Sequence, residues 1–345
     1  MRCAIQTTRH FDHKNVFHVT FGINGDEKMG VSSRIVVTTI VGCWSAAPAL
    51  AWDNFGHMEV AAVAWELMSA PARAEATRLL TLNPQHEHWV MGVVPEKRDK
   101  YAFMLAATWP DFIKREADYQ NDGADNGDTP PNDDRATRNK GYSDHLRHKY
   151  WHFIDTPIPS TGRPAPTPNV KTQIGVFRTK LPMSSGATDD LRSYDLAWTL
   201  HLVGDAHQPL HAANHFAPDL PPKGDAGGNE VAVSCETGTT CLGASELHAF
   251  WDDLLGPNTT TPERVESAAS LLPQADPVLA SVSEEARWLG ESFNLAKSDV
   301  YKSPAIGDTR GTITAEYKAN AENIAKKRIA LAGARLANLL DDAFK

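Results

Sequence analysis

The stretch Leu200 to His211, LHLVGDAHQPLH, constrains this chain more than any other. His201 and Asp205 stand four apart, a spacing that on a helix stacks an imidazole and a carboxylate on one face. His248 and Asp252 in ELHAFWDD repeat that spacing. After the first pair, Gln208-Pro209-Leu210-His211 places a proline where it bends the chain and returns a third imidazole, His211, towards the same cavity. A single His/Asp pair would be an ordinary surface contact. Two pairs and His211, all in apolar sequence, make a nitrogen and oxygen donor set without cysteine, suited to zinc or a similar first-row metal.

The chain has 345 residues, and its beginning does not read as part of a fold. Residues 35–50 are mostly apolar or small (IVVTTIVGCWSAAPAL), follow Arg34, and end near a small-x-small site, Ala49-Leu50-Ala51, ahead of Trp52. That pattern predicts a secretory signal peptide over 29–51, too short in its apolar run to anchor in a bilayer, with translation starting at Met29. The whole presequence is then 1–51, and the folded domain is 52–345. The first 51 residues hold five of the 34 basic and three of the 43 acidic side chains, which leaves 29 and 40 and a formal charge of about −11. An acidic surface excludes general non-specific duplex binding, so any nucleic-acid substrate must be held by local features. No later stretch is apolar enough to cross a membrane, so a soluble exported monomer is expected.

Cys3 and Cys43 leave with the presequence. Cys235 and Cys241 remain, and in an oxidising compartment they read as a disulfide closing a short loop, with a cysteine metal site as the rival.

Along the domain, apolar spacing predicts helices over 54–68, with Asn54 as N-cap and His57 in the first turn, then over 70–83, 101–109, 170–181 and 189–203. Further helices are expected over 248–255, 261–271, 278–301 and 313–343. Pro110-Asp111 closes or kinks the third helix and leaves Asp111 between Trp109 and Phe112, costly company for a carboxylate without a partner. Residues 120–143 and 160–168 read as exposed loops. His152, Phe153 and Asp155 emerge from the aromatic run HKYWHFIDTP. Glu230 to Ser234 alternates like a strand and, with the cysteines, predicts a hairpin near 229–243 as the sole β-structure. GDAGGN before it resembles a phosphate-cradling glycine loop only loosely, because no helix follows directly. A free amine and carbonyl at Trp52, close in sequence to His57, would add a chelating pair.

The candidate ligands number nine, and their order carries a family resemblance. Trp-x4-His at a processed N-terminus, Trp-Pro-Asp, His-Phe-Ile-Asp-Thr-Pro, His-x3-Asp-x5-His, Gly-Asp-x-Gly-Gly-Asn and Leu-His-x-x-Trp-Asp resemble the trinuclear zinc single-strand nucleases of fungi, plants and bacteria, the P-one/S-one type. These share a superfamily with the bacterial zinc-dependent phospholipases C. The resemblance runs from Trp52 to the final helix, AGARLANLL. It implies a mainly α fold, a single helical phospholipase C/nuclease domain. It also implies three Zn2+: one on Asp111, His152, His201 and Asp205, a second on His211, His248 and Asp252, and a third on the Trp52 amine and carbonyl with His57, bridged by Asp205. Asp111 and Asp205 count as catalytic as well as ligating. Phe153 matches the base-stacking aromatic, Asp155 the acid that contacts the stacked base, and Lys114 a basic residue near the phosphate. The implied activity is hydrolysis of single-stranded DNA and RNA to 5′-phosphorylated products, with nucleotides as further substrates through 3′-nucleotidase action. A phospholipase C and a zinc-sequestering protein without turnover are the alternatives.

Overall fold

The computed structural model describes residues 52–123, 130–160, 164–302 and 305–345. The presequence expected over 1–51, signal peptide included, lies outside them. Within them the architecture is mainly helical, as expected, with two pairs of short parallel strands.

The helix Asp189–Asp205 runs through the middle of the core. Thr188 caps it by accepting from the Leu191 amide, and Asp189 and Asp190 sit in its first turn, where carboxylates suit the helix dipole. From Arg192 onward every residue is buried, so this helix has no solvent face and every polar group on it needs a partner inside the protein. The helix Asn54–Leu67 packs beside it and on the long C-terminal helix Ala315–Ala343. Its N-cap is Asp53 rather than the expected Asn54, because the Asp53 carboxylate accepts from the Gly56 amide at 3.0 Å. Both contacts are made close by glycine. A Cβ at Gly333 would stand 2.5 Å from Val63, and one at Gly204 would stand 2.9 Å from the His57 ring.

On its other side the central helix meets interlocked aromatics. Trp198, Tyr194, Trp109 and Tyr142 meet edge-on or tilted at centroid distances of 5.5–6.4 Å. Burying each of these rings contributes on the order of 2 kcal/mol or more, which fixes the walls around the central helix. Its C-terminal end is tied down by charge. The His207 carbonyl accepts from Arg328 and the His207 ring from Arg335, while Glu291 pairs with both guanidinium groups.

Four expectations are corrected. The strand at 232–235 exists, but it pairs in parallel with Arg310–Ile313, and the doubling back at 229–243 is limited to a bridge between Ala232 and Glu246. A second parallel pair, Pro157–Ile158 with Asn214–His215, was not anticipated. The helix expected over 278–301 is broken into Pro277–Ala280, Glu285–Leu295 and a wide turn at Ala296–Val300. Side chains claim its backbone: the carbonyls of Leu279, Ala280 and Ser283 accept from Arg335, Asn338 and Arg178 outside the stretch, and that of Val282 from the Trp288 indole within it. The expected helix over 101–109 instead starts at Pro95, ends at Ala106, and is followed by the short helix Trp109–Ile113, which carries Asp111.

A candidate metal centre

The central helix presents His201 and Asp205 on one face, as their spacing predicts, and both are completely buried. Four other elements bring donors to them. The first helix supplies His57, which lies flat on the His201 ring at 3.7 Å with its Nε2 3.5 Å from Asp205. The short helix after Ala106 supplies Asp111, with an oxygen 3.7 Å from His201 Nε2. The turn Lys149–Trp151 delivers His152, whose Nδ1 lies 3.1 Å from Asp205 and 2.8 Å from His201 Nε2. The turn Pro209–Ala212 delivers His211, whose Nε2 stands 3.2 Å from that of His248. His248 in turn is 3.3 Å from Asp252 on the helix Leu247–Asp252.

The result is three groups of donor atoms: His57, His201 and Asp205; Asp111, His152 and His201; and His211, His248 and Asp252, each group within 4.8 Å internally. Eight of the nine ligand candidates therefore meet by their side chains. Trp52, the ninth, is fully buried, and the Asp53 amide beside it donates to the Asp252 carbonyl.

Carbonyl groups fix the tautomers. Nδ1–H of His201 donates to Ala107, that of His211 to His152, and that of His248 to Gly227, each at 2.7–2.8 Å, so all three Nε2 atoms face the centre. Gln208 donates to Asp252 at 2.7 Å. No local spacing announces these supports, although the glycine loop GDAGGN supplies one of them through the Gly227 carbonyl. In that loop Asp225 accepts from the His215 and Gly227 amides and from the Tyr301 hydroxyl, and so presents the Gly227 carbonyl to His248. Gly227 has φ +65°, and a Cβ there would sit 2.7 Å from the Leu210 carbonyl. Gly227→Ala should therefore displace His248. Elemental analysis is expected to show about one metal equivalent lost per molecule, and undiminished metal content would refute this supporting role.

Electrostatics argue for cations here. Burial pushes the His57, His152 and His211 rings well below the ordinary histidine range, leaving neutral imidazoles. Burial also pulls on His201, but the carboxylates of Asp205 and Asp111 outweigh it and raise that ring. Burial lifts Asp205 to about 6, against the pull of His201, and lifts Asp252 well above the carboxylate range. Both His57 nitrogens, Asp205 Oδ1, Asp252 Oδ2 and His152 Nε2 make no hydrogen bond. Buried and unpartnered, these atoms fit metal ligation: bound cations would favour the ionised carboxylates against burial and accept the neutral imidazoles that burial already provides.

Lys114, just after the short helix Trp109–Ile113, is buried and lies 2.8 Å from Asp111. Phe153, next to His152, is half-buried and lines a pocket with Asp155, Tyr150, Asn169, Pro130, Pro166 and Pro168. Cys235 and Cys241 form the disulfide, which excludes the rival cysteine metal site.

Comparison with known proteins points the same way. The chain is 24% identical to Endonuclease 5 of Arabidopsis thaliana over 338 residues, covering 92% of this chain and 97% of that protein. It is 27% identical to Endonuclease 4 of the same plant over 188 residues, which is 49% of this chain and 58% of that protein. Residues 52–345 match the family described as S1/P1 Nuclease. With a donor-rich buried centre and a family match over its whole described length, the chain belongs to the S1/P1 nuclease family, metal-dependent hydrolases of nucleic acid.

Proposed function

We propose that this protein is a secreted, monomeric zinc nuclease that cleaves single-stranded DNA and RNA to 5′-phosphorylated products and also acts as a 3′-nucleotidase. The domain that acts is 52–345, released from the presequence 1–51 so that the Trp52 amine and carbonyl complete a third zinc site with His57 and Asp205. The observation that carries this reading is the convergence of the three His/Asp groups directly beside the pocket of Phe153 and Asp155. Zinc bound there supplies an activated water and stabilises charge on the phosphodiester oxygens.

The protein's own residues do the rest. Asp111 and Asp205 hold negative charge where the donors converge, and Lys114, paired with Asp111, supplies a positive charge for the substrate phosphate. Phe153 offers a stacking face to one base and Asp155 accepts hydrogen bonds from its edge. A base can reach that face only when it is unstacked, which favours single strands by about 1–3 kcal/mol per base. The new P–O bond forms to water oxygen, the 3′-oxygen leaves with a proton, and no protein nucleophile takes part.

Metal content by elemental analysis, measured with activity on single-stranded DNA, duplex DNA, RNA and phosphatidylcholine, tests this. Zinc with preferential single-strand cleavage is expected. Headgroup release without nucleotide release would establish a phospholipase C instead, and zinc without any hydrolysis a sequestering protein. Phe153→Ala should weaken turnover of polynucleotides by about tenfold, at roughly 1.4 kcal/mol, while sparing an abasic phosphodiester. Equal loss on both substrates would remove the stacking role.

A further inference from the structure

Two carboxylates of the centre are placed differently by their neighbours. Asp205 turns both oxygens towards imidazoles: Oδ1 stands 3.5 Å from His57, and Oδ2 lies 3.1 Å from His152 and 3.2 Å from His201. Asp252 divides its oxygens. Its Oδ1 accepts from the Gln208 side-chain amide at 2.7 Å, while Oδ2, 3.3 Å from His248 Nε2, makes no hydrogen bond.

Gln208 is held so that it can do nothing else. It is completely buried, and its own Oε1 accepts from the Leu210 amide. A carboxylate oxygen accepts here and a backbone N–H donates, so the two ends of the side chain cannot exchange places. The main chain around it is fixed on both sides. The Gln208 N–H donates to the Asp205 carbonyl at 3.0 Å, and the Gln208 carbonyl accepts from the His211 N–H at 3.2 Å. The two preceding carbonyls are claimed as well, Ala206 by the Ser292 hydroxyl at 2.7 Å and His207 by Arg328 at 3.1 Å. Arg328 is itself anchored on Glu291 and Ser292. The turn therefore leaves one ligand candidate, Asp205, arrives at a second, His211, and gives a side-chain N–H to a third, Asp252.

We propose that Gln208 is a positioning residue that makes Asp252 a one-oxygen metal ligand and so keeps a coordination position open for the substrate phosphate. The inference rests on reading the three His/Asp groups as metal sites. An oxygen that already accepts a charge-assisted hydrogen bond from a fixed donor is spoken for, and turning it onto a cation would strand a buried N–H. His211, His248 and Asp252 then offer three atoms, the two Nε2 and Oδ2. Three protein ligands leave a position for water or a phosphate oxygen, whereas a carboxylate gripping with both oxygens would fill it. One residue type thus does two jobs in the same centre. Asp205, with imidazoles at both oxygens, joins groups, and Asp252, with an amide on one oxygen, ends a group.

Crystal structures of the zinc-loaded wild type and of zinc-loaded Gln208→Met test this, with calorimetry of inorganic phosphate binding to each. Methionine keeps the length of the side chain and removes its N–H. In the wild type one Asp252 oxygen should lie at about 2.0–2.2 Å from zinc, with the other on Gln208. Both oxygens on zinc would overturn the proposal and leave the metal centre standing, and this arm decides even if the variant does not fold. In Gln208→Met both oxygens should ligate, and Kd for inorganic phosphate should rise about tenfold. One-oxygen ligation in the variant, or an unchanged phosphate Kd, would refute the role of the amide. A wild type that takes up no zinc at these residues would sink the metal reading along with it.

Discussion

Replacing Asp205 with Asn should lower kcat/KM on a single-stranded oligonucleotide by about a thousandfold or more, which corresponds to roughly 4 kcal/mol of lost transition-state stabilisation. Its carboxylate sits where several donor rings meet. His57, His152, His201 and His211 all lie within 3.7 Å of its two oxygens. An amide at this position keeps the volume but gives up the charge and turns an N–H towards one of those rings. Asp205 is a member of the first donor group and lies against His152 and His201 of the second, so both should be weakened together and metal content should fall along with activity. A loss smaller than tenfold with full metal content would show that Asp205 does not join the groups.

Chelation should abolish hydrolysis and lower Tm by roughly 10 °C, from about 4 kcal/mol of linkage at a thousandfold excess of metal over Kd and about 2–4 °C per kcal/mol for a domain of this size. The effect should also depend on pH in a defined direction. In the metal-free protein Asp205 sits at about 6, above its unfolded value of 3.8, so its contribution is present at low pH and lost as pH rises through 6. His57, His152 and His211 are pushed the other way, so their contribution is present above the ordinary histidine range and lost as pH falls below it. Metal needs the carboxylate ionised and the rings neutral, so its stabilisation grows with pH. The Tm difference between loaded and chelated protein should be larger at pH 7.5 than at pH 5. Equal differences at the two values would mean that the ions bind away from these residues.

What could be read from the sequence was whatever depends on short spacing. His201 with Asp205 and His248 with Asp252 were legible because four residues make one helical turn, and His211 because a proline precedes it. The groups that hold these ligands in place were not legible. The Ala107 carbonyl reaches His201 across 94 residues and Gly227 reaches His248 across 21, contacts that only the packed chain creates. The strand 232–235 was recognisable from alternation, but its partner at 310–313 was not, because parallel pairing leaves no local turn signal. Nothing local in the sequence marks Lys114 as buried, and only tertiary packing places it inside beside Asp111. Periodicity predicts one helix over 278–301 because it cannot register distant arginines competing for the carbonyls there.

The helix Asp189–Asp205, buried on every side from Arg192 onward, has a bearing on how such an enzyme can change over time. Because one rod serves both as the spine of the core and as a carrier of donor atoms, drift along it threatens solubility and turnover at once, and few substitutions there can be neutral. The loops that bring Pro130, Pro166 and Pro168 to the base pocket carry no such double duty. New substrate preferences should therefore arise by remodelling those loops, with the spine inherited almost unaltered.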